Sequence, residues 1–230
     1  MKIAISQPRY LPALNYLQRI HVSDIFVILD NVQHQRRAFE HRNRVKSING
    51  NSIWCSIPLV KKSSRPKIYE LKVQDLTWID KHKSLITSYY NKAEYFDKDI
   101  LEKIYENVNE FNFVDIIESI TANLCNLLEI NYNFINASEL NLNSSNDQLL
   151  YDISKKLGAS EYISGSNGRD YIDNNLFNDI KLTYHDYTFP VYNQLHGQFI
   201  PWMSIVDQLF NIGIEETKKY IYMKTDLKDS

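Results

Sequence analysis

Three short stretches of this chain carry side chains suited to chemistry. The first follows the apolar run Ile3–Ile5, where the chain breaks into Gln7, Pro8, Arg9, Tyr10 and Pro12. The second, "DNVQHQRRAFEHRNRVK", begins at Asp30 and holds Gln33, His34, Arg36, Arg37, His41, Arg42, Asn43, Arg44 and Lys46. The third is "SGSNGRDY", in which Gly165, Ser166, Asn167 and Gly168 lead to Tyr171. Arginines suit bidentate recognition of phosphate or carboxylate, so the second stretch is a candidate anion cradle, or equally a solvated charged loop. A Gly-Ser-Asn-Gly turn after a strand can aim backbone N–H groups at an anion. The same composition also makes an ordinary turn, and neither GxGxxG spacing nor a P-loop lysine strengthens it.

Elsewhere the signals thin out. His82 follows "TWIDK" on a helical pattern and is a candidate general base, although packing is the favoured reading of such a histidine. Asp30, ending a buried run, is a second candidate for the base. Asp207 lies on the last helical segment beside Ser204 and Asn211, with an exposed carboxylate as the safer expectation. The chain has no HxxxH, no HExxH and no paired carboxylates, so no metal is expected. No Gly-x-Ser-x-Gly elbow is present, and Cys55 and Cys125 stand far apart without an evident partner. A Ser or Cys hydrolase is therefore disfavoured.

The elements that must position these residues follow from periodicity. "KIAIS" reads as a strand, Pro12 as the start of a helix through residue 22, and "DIFVILD" as a strand buried on both faces. Strand, helix, buried strand makes a βαβ unit with parallel strands. All three chemical stretches begin at strand ends, where open parallel sheets bind ligands. "SIWCSIPL" alternates like a half-buried strand, "KKSSRP" reads as a loop, and "KIYELKV" as the returning strand. Helical patterns cover 78–90 and about 97–129, the latter with Ile116, Ile117, Ile120, Leu124 and Leu128 as its stripe. "NYNFINAS", "EYIS" and "IKLTYHDY" are further strands. Ser145 and Gln148 have capping-box spacing before a helix that Gly158 follows. A last helix follows Pro201 and is expected to end at Gly213. The fold class is α/β: a mainly parallel Rossmann-like sheet in one domain over residues 1–230, with an inserted β-hairpin and helical elaboration at about 50–128.

Composition narrows the class. With 230 residues, of which 43% are hydrophobic, the chain can bury a core. A net charge of −2 leaves no bulk footprint for nucleic acid, although a local RNA-facing patch stays open. The N-terminus does not read as a signal peptide, and no apolar run nears the ~20 residues of a membrane span. With two scattered cysteines, this points to a cytoplasmic protein without membrane insertion.

Taken together, "IAISQPRYLPALNYLQRI", "DIFVILDNVQHQRRAFEHRNRVK", "IWCSIPL", "WIDKHKSLITSYYNKAEYF", "LGASEYISGSNGRDYID" and "FIPWMSIVDQLFNIG" resemble the WbqC-like family of bacterial surface-polysaccharide gene clusters. The likeness runs to about residue 213 and departs at Asn15, where members usually carry glycine. It implies an acyl- or aminoacyl-transfer, glycyl among the candidates, that forms an amide on a nucleotide-linked amino sugar for O-antigen or other surface-glycan synthesis. On that expectation Arg36, Arg37, Arg42 and Arg44 hold phosphates, Gln7, Tyr10, Asp30 and Gln33 orient sugar or donor, and Asn15 and Asn43 belong to the substrate-binding set. Asp30 or His82 takes the proton. Gly165–Gly168, Tyr171 and Asp207 complete the binding set. The donor stays open between an aminoacyl-tRNA, an acyl thioester, and ATP with an amino acid, and the oligomeric state is unknown. The first βαβ unit also resembles the nucleotidylyltransferase layout, but Leu14-Asn15-Tyr16 lacks that superfamily's histidines. A non-catalytic binder of sugar nucleotides or RNA, and a nucleotidyltransferase-like enzyme, are the alternatives.

Overall fold

A computed structural model describes residues 1–60, 65–223 and 226–229. Six strands form one sheet in the order β5-β2-β1-β6-β7-β8, from β1 (Lys2–Ser6), β2 (Ile25–Ile28), β5 (Phe134–Asn136), β6 (Glu161–Gly165), β7 (Lys181–Asp186) and β8 (Asp226–Asp229). All neighbours run parallel except β7 and β8. The registers Ile5↔Val27 and Ile3↔Tyr162 place β1 at the centre. Its residues Ile3, Ala4 and Ile5 are all buried, as a strand covered on both faces requires.

Side-chain alternation divides the interior in two. Ala4, Phe26, Ile28 and Ile163 face the larger core, built with α1 (Leu14–His21), α2 (Thr77–Tyr90), α3 (Lys98–Ile104), α4 (Phe113–Leu127) and α6 (Ile205–Tyr222). Ile3, Ile5, Val27, Tyr162, Leu182 and Tyr184 face the smaller one, closed by α5 (Asn146–Lys156). Among the described residues no helix is long and apolar enough to cross a membrane.

The structure departs from the sequence expectations in five places. The antiparallel partner of β4 (Ser52–Ser56) is β3 (Arg42–Lys46), so half of the basic stretch is itself a strand. "KIYELKV" instead makes a short 3-10 turn at Ile68–Glu70 with isolated bridges. The 97–129 pattern breaks into α3 and α4, with Asn112 accepting from Val114 N to start the second helix. Ser145 makes no side-chain cap; Gln148 donates to Asp152 instead. At Gly213, where φ is +81°, the helical path breaks as expected, but helix resumes and α6 runs on to Tyr222; a β-carbon at Gly213 would also stand 2.7 Å from the Tyr95 ring. Gly158 does follow α5 in the left-handed conformation expected of it, at φ +68°. Residues 61–64 of the "KKSSRP" loop lie outside the described residues.

Candidate functional site: a cationic switch point

Strand order reverses between β1 and β6: the chain moves from β1 to β2 on one side and later returns to β6 on the other. In open α/β sheets such a switch point, beyond the carboxyl ends of the strands, is where ligands settle. The loops after β1 and β6 both open here, so the Gln7 and Gly165 stretches do converge. Gln7 is half-buried directly after β1.

Two arginines dominate the electrostatics. Arg19 projects from α1 back towards the helix N-terminus, as helical side chains do, and its Nη2 donates to Ser6 Oγ at 3.0 Å. Gly165 lies against it: a β-carbon there would stand 3.4 Å from Arg19 Nη1. Arg19 is buried, at 6% exposure. Burial and the like charge of Arg9 pull its pKa down to about 10. Arg9, in the loop after β1, is pulled down as well by burial, against the opposing influence of Tyr16 and Glu40. Arginine keeps its proton throughout this range, so both shifts record a desolvation cost that outweighs the opposing groups nearby, with Arg9 half-buried and Arg19 buried. Among the described residues no carboxylate forms an ion pair with either guanidinium. Glu40, the acid that bears on Arg9, is buried and already bound to His34 and to the Gln35 backbone.

His185, at the end of β7, completes this corner. Gln18 donates its Nε2 to Tyr220 O at 2.6 Å, which leaves Oε1 to accept from His185 Nε2 at 3.1 Å. The imidazole is then neutral with its lone pair on Nδ1. Burial first, and Arg19 second, lower its pKa to about 4.

Several expected site residues are employed elsewhere. Tyr10 does not face a ligand: it is fully buried, with its hydroxyl bonded to His82 Nδ1 at 2.7 Å and to the Tyr105 hydroxyl. Trp78 packs edge-on at 5.8 Å. His82, the candidate base, is buried beneath Tyr10, and burial lowers its pKa to about 4. Its Nδ1 is engaged by that hydroxyl, so packing is the role its surroundings show. Asp30 is buried too, and both its oxygens accept from Ser138, the N–H at 2.8 Å and the hydroxyl at 2.6 Å. It fastens β2 to the turn after β5 rather than presenting a free base.

The basic stretch turns inward. Arg42 donates to Arg37 O at 2.6 Å and stacks 4.1 Å from the Trp54 ring centre. Asn43 is buried and donates to Leu11 O at 2.7 Å. Arg44 Nη2 donates to Pro201 O and Trp202 O, at 3.3 and 3.2 Å. Backbone carbonyls thus take these side chains, because β3 must be tied to the loop after β1 and to the 187–204 segment. Arg36, Arg37 and Gln33 remain exposed, and Asn15 is half-buried on α1.

After β6 the helix expected beyond "GSNG" is a short 3-10 turn, Ser166–Asp170. Gly168 is required by packing: a β-carbon there would meet Ser164 Oγ at 2.1 Å. Ser166 and Asn167 are exposed, and Tyr171 is 61% exposed at the same edge.

Asp207 overturns its expectation outright. It is fully buried, accepting from Tyr90 Oη at 2.7 Å, Tyr192 Oη at 2.7 Å and Gln194 Nε2 at 2.9 Å. Burial raises its pKa against those three bonds and the nearby Lys46. Lys46, itself buried, donates to Gln198 O at 2.6 Å. Asp207 and Lys46 therefore fix the 187–204 segment rather than bind a ligand.

Neither Arg9 nor Arg19 stands out in the sequence, because each is a single cation ten positions from the other. A usable signal exists for Arg19: it falls among Tyr16, Leu17 and Ile20, inside the buried stripe of α1. A cation in such a stripe is either paired or functional.

These features define an open α/β protein with a cationic switch point. The chain belongs to the WbqC-like protein family, whose profile matches residues 7–219. It is 31% identical over 220 residues to the uncharacterized protein Rv1507c of Mycobacterium tuberculosis, a match covering 93% of this chain and 95% of that protein. No solved structure matches the chain.

Proposed function

We propose that this protein transfers an acyl or aminoacyl group, glycyl among the candidates, onto the amine of a nucleotide-linked amino sugar in surface-glycan synthesis. The observation that carries the reading is the pair Arg9 and Arg19, two cations without a carboxylate at the switch point of the sheet. A diphosphate neutralises both, and guanidinium forks suit its oxygens. The family resemblance supplies the pathway, and the cytoplasm is where such sugar nucleotides meet their donors.

The sugar amine attacks the donor carbonyl; the new C–N bond forms as the bond to the donor's leaving group breaks. The ammonium proton leaves with the donor's departing group, which takes it up as the alcohol or thiol is released. An aminoacyl-tRNA is the donor favoured by the outer face of the hairpin. Arg36 and Arg37 are exposed in the loop that leads into the hairpin, and Trp54, 43% exposed, lies under Arg42.

The test is incubation of the protein with nucleotide-linked 4-amino-4,6-dideoxy sugars and each donor class, followed by mass spectrometry for the acyl increment. R19M is expected to lose sugar-nucleotide binding and turnover together. No product with any donor overturns the transferase reading. Sugar-nucleotide binding without product leaves a non-catalytic module, and pyrophosphate release from a nucleoside triphosphate indicates nucleotidyl transfer.

A further inference from the structure

Trp202 is held in a conformation that bulky residues rarely adopt. Its φ is +62°, in the left-handed region. The residue nevertheless stays 42% exposed, so the strain is not repaid by full burial of the indole. Tyr187 and Phe189 support the ring from one side, with centroids at 5.7 and 5.1 Å. Arg44 clamps the backbone by donating to the carbonyls of Pro201 and Trp202 itself. It does so although its own Nε is buried without a partner. Strained backbone persists only where the surroundings over-determine it, and it concentrates at ligand sites.

The position of the ring matters as much. Ser204 N donates to Arg44 O and Ile205 N to Pro12 O, both at 2.9 Å, so the backbone just after Trp202 is pinned to Pro12, three residues past Arg9. On the other side Tyr187 stacks on His185 at 6.1 Å and 23°, and His185 lies in the field of Arg19. A row of rings, Trp202, Tyr187 and His185, thus leads from the exposed residue towards Arg19, while the backbone after Trp202 is tied to the loop that follows Arg9.

We infer that Trp202, clamped by Arg44, is the platform on which the base of a nucleoside diphosphate stacks while its phosphates lie on Arg9 and Arg19. This rests on the reading of the arginine pair as a phosphate site. Stacking on an aromatic face tolerates any base, so the platform sets affinity for nucleotides over bare phosphates. Arg44 is a positioning residue.

The experiment is calorimetric titration of the full chain with inorganic pyrophosphate, uridine diphosphate, guanosine diphosphate and a hexose 1-phosphate. Wild type is expected to bind the nucleoside diphosphates about tenfold or more tightly than pyrophosphate. W202A should erase that difference and leave pyrophosphate affinity unchanged, and W202F should restore most of it. R44K should resemble W202A, again with pyrophosphate unaffected, which a general loss of structure would not spare. Unchanged nucleoside diphosphate affinity in W202A overturns the inference. So does an equal loss for pyrophosphate, or an effect confined to the hexose 1-phosphate. Nucleoside diphosphate binding that survives R19M but falls in W202A overturns only the phosphate assignment. No binding of any probe to wild type overturns both.

Discussion

Arg19 carries a charge that the fold itself does not neutralise, so its removal should separate stability from binding. Replacing an uncompensated buried cation by an apolar side chain of similar length relieves a desolvation cost, and the Ser6 bond lost with it is worth less. R19M is expected to raise stability by about 1 kcal/mol while lowering phosphate affinity at least tenfold. Thermal denaturation and calorimetry with pyrophosphate check the two halves; a lower melting temperature with intact binding would make Arg19 a structural residue. The buried histidines set a second expectation. His82 and His185 are each lowered from 6.5 to about 4, by burial above all. Between those values the unfolded chain binds more protons than the folded one. Their stability is therefore whole above pH 6.5 and is lost as pH falls towards 4, on the order of 3 kcal/mol for each. The urea midpoint, followed from pH 8 to pH 4, should fall through that window, and H185Q should make the fall shallower. A flat midpoint would show that these imidazoles are already solvated.

At the scale of elements, the 187–204 segment is long for a connection without helix or strand, and such segments are usually functional. Asp207 on α6 anchors it from below, through Tyr192 and Gln194, while Tyr90 ties the same carboxylate to α2. D207A leaves two tyrosine hydroxyls and an amide without their acceptor and the Lys46 cation without its nearby counter-charge, and should destabilise the protein by about 3 kcal/mol. Limited proteolysis should then cut within 187–200 before it cuts elsewhere; an unchanged pattern would place the anchor in Lys46 alone. The sequence shows part of this design and hides part. The strands β1, β2 and β7 are legible because apolar runs of that length flanked by turn residues have few other uses. β3 is hidden because its period of two is written in polar letters: Asn43 and Val45 point inward while Arg42 and Arg44 lie half-exposed. Asp207 is hidden for a related reason. Its neighbours Val206, Leu209 and Phe210 mark a buried face, but a carboxylate reads as exposed until three donors are found beside it.

For the whole molecule, the question is whether the hairpin and the 77–127 helices fold separately from the sheet. Their packing argues for one unit. Val45, Cys55, Ile57, Trp78 and Tyr90 share one continuous core with Ala4, Phe26, Ile163 and Val206 of the sheet and its last helix. Polar ties run the same way, from Asn43 to Leu11 O, from Lys46 N to Tyr90 Oη, and from Ser204 N to Arg44 O. The switch-point arginines lie on the sheet side of this junction and Trp202 on the hairpin side, so the candidate site exists only when both are assembled. Urea unfolding should accordingly be a single transition, with far-UV circular dichroism, tryptophan fluorescence and loss of nucleotide binding sharing one midpoint. Trp54 and Trp78 report the hairpin and α2, and Trp202 the 187–204 segment clamped to the hairpin by Arg44, whereas the far-UV signal is averaged over every helix and the six-stranded sheet. If fluorescence moves at lower urea than the far-UV signal, the hairpin and α2 melt ahead of the sheet. Binding would then be lost with the first transition, because the platform would have parted from the cations it serves.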